Sequence, residues 1–79
     1  MLAVYTARNA SLKLYDTLRT KGIACRVINT PRELSVGCGL SVEFNDCEFN
    51  RVKAIVARLP HQNFMGIWRS GSGVYFRIY

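Results

Sequence analysis

A thiol set between two glycines, Gly37-Cys38-Gly39, is the arrangement in this sequence whose residue types point to chemistry. Cysteine acts through its thiolate, so access and nearby positive charge decide its reactivity. The flanking glycines remove side chains beside the sulfur and let backbone N–H groups approach an anion. Just upstream, Thr30-Pro31-Arg32-Glu33 has the form of a capping box with proline at the first helical position. It predicts a single helical turn near residues 31–35, which Gly37 is suited to end at positive φ. Arg32 and Arg8 are the cations expected within reach of Cys38.

The other two thiols read differently. Cys47 follows Asn45-Asp46 and is expected at the first position of a helix, where the dipole favours a thiolate. Asp46 and Glu48 flank it and oppose ionisation. Cys25 lies in an apolar run and reads as a small buried hydrophobe. The three cysteines contain no CxxC pair and, with the lone His61, match no standard zinc spacing, so no metal site is expected. His61, in a polar loop after Pro60, has no partner that marks it as a ligand or base. An odd cysteine count argues against a secreted disulfide framework.

The elements that must hold Cys38 lie on both sides of it in the sequence. Residues 2–6 alternate as a short strand. Asn9 or Ser11 is expected to cap a helix over 10–21, with Ala10, Leu14 and Leu18 on one face and Gly22 just past its end. Ile23–Ile28 is rich in β-branched residues and predicts a second strand. Leu40–Phe44 alternates, with Leu40, Val42 and Phe44 directed to the core and Ser41 and Glu43 outward. Residues 47–59 place Phe49, Val52, Ile55, Val56 and Leu59 on one helical face before Pro60 stops it. Phe64–Arg69 and Val74–Tyr79 are strands around a Ser70-Gly71-Ser72-Gly73 turn.

The pattern β-α-β-β-α-β plus one more strand predicts an α+β ferredoxin-like sandwich: an antiparallel sheet with two helices on one face and an extra C-terminal strand. In that topology the loop bearing Cys38 lies near the start of the first helix, and Cys38 and Cys47 fall at opposite ends of the third strand. The 79 residues make a single domain, 1–79, with no linker or repeat. A hydrophobic content of 49% suits a packed core, and no apolar run reaches the roughly 20 residues of a membrane span. The N-terminus lacks the pattern of a signal peptide, so a cytoplasmic location is expected. The net charge of +6 permits an anionic partner without selecting one.

The run Asn29 to Val42, with its Pro31-Arg32-Glu33-Leu34-Ser35 stretch leading into Cys38-Gly39-Leu40, resembles a small bacterial family of Se/S carrier protein-like domains. The resemblance covers about the first 45 residues well and the C-terminal third only loosely. It implies that Cys38 carries sulfur or selenium as a persulfide or perselenide, with Pro31, Arg32, Gly37 and Gly39 shaping its loop. It further implies donor and acceptor proteins of a sulfur or selenium relay as partners, and no cofactor other than that covalent sulfur or selenium. A carrier needs an exposed thiol and a docking surface rather than a substrate pocket.

Two other readings compete. A basic α+β module can bind RNA on exposed aromatics or bind a protein partner, and Tyr75, Arg77 and Tyr79 are expected on one strand face. A thiol redox sensor would oxidise Cys38 reversibly without a sulfur donor. A self-contained enzyme is least favoured, because no triad, paired acid and base, or phosphate loop is present. The C-terminal edge strand offers a route to dimers, which Arg69 and Arg77 would oppose, and the oligomeric state stays open.

Overall fold

A computed structural model describes residues 1–34, 39–60, 62–71 and 74–79. Strand β1 spans Leu2–Tyr5, helix α1 Arg8–Thr20, β2 Cys25–Asn29, β3 Leu40–Phe44, α2 Phe49–Arg58, β4 Phe64–Gly71 and β5 Val74–Arg77. Short 3-10 turns occupy Arg32–Leu34 and Asp46–Glu48. The strands form one antiparallel sheet in the order β2-β3-β1-β4-β5. The chain is therefore the α+β protein that the pattern predicts, and its β2-β3-β1-β4 order is compatible with a ferredoxin-like sandwich extended by β5.

Alternation along the strands builds two apolar layers. On one face Ala3, Tyr5, Val42, Phe44 and Ile67 meet Leu14 and Leu18 of α1 and Val52 and Val56 of α2. Both helices thus cover the same face, and full burial of each such leucine or valine contributes about 1.5–3 kcal/mol. On the other face Leu2 and Val4 pack beneath Leu34, flanked by Ile28, Met65, Trp68 and Tyr75. β1 is the middle strand, so all four of its residues are buried.

Local rules explain the end of α1. The Gly22 N–H donates to Arg19 O at 3.0 Å, and the Ile23 N–H donates to Leu18 O at 2.9 Å. Gly22 holds φ at +77°, and buried Ile23 supplies the apolar contact that completes this helix stop. The start of α1 departs from expectation. The helix begins at Arg8 behind an extended Ala7, with no side-chain cap. Ser11 lies inside it, fully buried, and its hydroxyl donates to Leu40 O at 2.9 Å. A β3 carbonyl has claimed the oxygen expected to cap the helix.

Further differences from expectation follow. Ser41 does not face water. It is fully buried, between Val4 and Ile28 on the second face of the sheet. The Thr30 hydroxyl, expected to cap the turn after it, is bonded to Ser41 Oγ at 2.7 Å; the Glu33 half of the expected capping box lies outside the described side chains. Cys47 is not at the start of α2: it lies within the 3-10 turn Asp46–Glu48 that precedes it, and is exposed.

Candidate functional site

The paired ends of β2 and β3 flank the candidate segment. β2 and β3 pair in register from Cys25 opposite Phe44 to Asn29 opposite Leu40. One step beyond, the Thr30 N–H donates to Gly39 O at 2.7 Å, which closes the mouth of the 31–38 segment. The Thr30–Ser41 hydroxyl pair sits beside that bond, and Ser11 ties the Leu40 carbonyl to the first turns of α1. The end of the sheet where the segment begins is therefore next to the start of α1, as the fold predicts.

The first half of the segment folds over the sheet. The Leu34 N–H donates to Pro31 O at 3.0 Å, forming the turn that was expected near 31–35 as a 3-10 turn over Arg32–Leu34. Leu34, only 7% exposed, caps Leu2 and Val4 on the face away from the helices. Pro31 is half-buried and Arg32 exposed. Gly39 is exposed, and no described residue beyond its chain neighbours would lie within 4 Å of a Cβ there. Cys38, Gly37, Ser35 and Val36 lie outside the described residues, as do His61 and the Ser72-Gly73 part of the last turn. Arg8 opens α1 and is exposed.

Sequence reasoning did not anticipate Ser11, Ser41 and Leu34 as the residues that fix this segment. The signal for Leu34 is an aliphatic residue inside a polar turn, which has to bury somewhere. The two serines carry no such signal, because a hydroxyl gains its role only from the carbonyl or hydroxyl that meets it.

The far end of β3 holds different chemistry. The Met1 ammonium donates to Phe44 O at 2.9 Å and pairs with Asp46 Oδ1 at 3.3 Å. A cavity of about 580 Å³ opens there, lined by Met1, Cys25, Arg26, Glu43 and Asp46. Cys25 is half-buried rather than fully buried, with its Sγ 3.9 Å from Tyr15 O. Burial pushes its thiol pKa up, partly offset by Arg19. Arg26 is paired with Glu43 across the strands. Among the described residues no group of three His, Cys, Asp or Glu side chains is placed to hold a metal ion.

The aromatic platform expected for RNA does not form. Tyr75 packs with the Leu2, Val4 and Leu34 cluster, whereas Tyr79 joins the helix-side core, 5.9 Å from the Phe64 ring. The two rings serve different faces.

A family profile described as "Putative Se/S carrier protein-like" matches residues 1–65 of the 79, a span that runs from β1 into β4 and includes the whole 31–38 segment. The chain belongs to this family. Among curated proteins and among solved structures, none matches the chain. The family match ends within β4, so β5 lies beyond it. No helix among the described residues is long and apolar enough to cross a membrane.

Proposed function

We propose that this family member carries sulfur or selenium on Cys38 in the cytoplasm, receiving it from a donor protein and passing it to an acceptor. The observation that carries the reading is the family membership of residues 1–65, the span that contains Cys38. The anchored ends of the 31–38 segment support it, since a carrier thiol has to be presented at a reproducible place.

The chemistry is thiol exchange with no net oxidant. The Cys38 thiolate attacks the outer sulfur of a donor persulfide, the donor's S–S bond breaks, and the donor leaves as a thiolate that takes up a proton. Cys38 then holds the persulfide. An acceptor thiolate attacks the same outer sulfur, and Cys38 departs as thiolate, ready for another cycle. Selenium follows the same course as a perselenide. In this reading Arg32 supplies positive charge near the thiolate, and Pro31, Gly37 and Gly39 shape the loop.

The test is intact-mass spectrometry of reduced protein after exposure to a small-molecule persulfide. The expected product gains one sulfur atom in the native chain and none in Cys38→Ser. No adduct, or an adduct retained by Cys38→Ser, overturns the proposal. A sulfenate formed on mild peroxide, without any sulfur adduct, would instead establish the redox-sensor reading. Alkylation of Cys47 ahead of Cys38 would overturn the choice of site.

A further inference from the structure

The sheet has two open edges, and they are finished differently. β2 exposes only the polar Arg26 and Asn29, and none of its large apolar side chains is exposed. β5 and the residue just after it carry Val74, Phe76 and Ile78, which are 52%, 56% and 39% exposed, three of the four large apolar side chains found exposed among the described residues. An apolar edge strand of this kind calls for a cover.

The hydrogen-bond phase shows what β5 offers. β4 and β5 pair with Trp68 opposite Arg77, Arg69 opposite Phe76 and Ser70 opposite Tyr75, and the Ile78 N–H donates to Ile67 O at 2.9 Å. In an antiparallel ladder bonded pairs alternate, so Val74, Phe76 and Ile78 direct their backbone groups inward to β4. The N–H and C=O of Tyr75 and Arg77 therefore point outward along the open edge.

We propose that β5 pairs with the β5 of a second copy, antiparallel about a two-fold axis at Phe76, which joins two five-stranded sheets into one. This register sets Phe76 opposite Phe76, Val74 opposite Ile78 and Tyr75 opposite Arg77. The apolar side chains then form one continuous row on one face. The outward backbone groups of Tyr75 meet those of Arg77 in the partner, which is the pairing that the phase requires. The arginines expected to oppose association do not meet. Each Arg77 faces a tyrosine, and its guanidinium is drawn back over Gly66, with Nε donating to Tyr79 O at 3.1 Å. Arg69 is engaged by Asp46 at 3.5 Å. The contact is isologous, so it closes at two copies and leaves β2 as the remaining edge. It is independent of Cys38 chemistry and is built from residues beyond the family match.

Sedimentation equilibrium of the full chain tests it. The expected species has twice the 9.0 kDa chain mass. Phe76→Lys and Phe76→Glu, each placing like charges across the axis, are expected to reduce the mass to one chain while circular dichroism stays native. An equimolar mixture of these two variants is expected to restore the double mass, since residue 76 meets only residue 76. A monomeric native chain overturns the proposal and leaves the edge to a foreign strand. A dimer that survives both substitutions, or a mixture that stays monomeric, overturns it as well.

Discussion

Thr30 and Ser41 join their hydroxyls at 2.7 Å across the mouth of the 31–38 segment, on the buried second face of the sheet. Each satisfies the other where water does not reach Ser41, so the pair acts as a clasp between β2 and β3.

Removing one half of that clasp leaves the other hydroxyl unpaired, and the desolvation cost of the orphan then falls on the fold. Ser41→Ala is expected to lower stability by about 1–2 kcal/mol in urea unfolding. Adding Thr30→Val to that variant should cost less than the two single losses summed, because the second change removes the orphan.

Gly66 holds φ at +111°, a region that residues with a Cβ rarely adopt, next to the register shift between β1 and β4. A Cβ there would also lie 2.5 Å from Arg77 Nε, but that side chain can move aside. The backbone is the firmer constraint. Gly66→Ala is expected to cost about 1–3 kcal/mol by thermal or urea unfolding. Most of the loss should persist when Arg77→Ala is added.

Burial raises the Tyr5 hydroxyl from 10.0 to about 12. Above pH 10 the unfolded chain ionises this phenol while the folded chain keeps it protonated, so the unfolded state binds fewer protons. Stability is then lost as pH rises through the interval from 10 to 12. Tyr5→Phe should flatten that part of the stability profile, measured as urea midpoints against pH, relative to the native chain.

The parts of the fold that read directly from the sequence are those decided within a few residues. Gly22 ends α1 because a glycine past the last turn is locally favoured, and Val52 and Val56 face inward because their spacing matches one helical face. The alternation of Leu40, Val42 and Phe44 likewise identified a strand and its apolar face. The order β2-β3-β1-β4 follows from the succession of elements and the short connections between them.

Other features depended on what arrives from far along the chain. Alternation assigns a polar residue such as Ser41 to water unless the opposite face is also covered, and here Leu34 covers it. Ser11 looked like a cap and became a tie to β3 because the Leu40 carbonyl lies within its reach. Tyr75 and Tyr79 share a strand period, yet the chain leaves the strand after Arg77 and the rings separate. By itself the sequence determined the elements and the family, since these are local in pattern. Only the tertiary structure decided which hydroxyls hold the segment, and that β5 remains as an apolar edge. Those facts belong to surfaces brought together from distant residues, and no short window of sequence contains them.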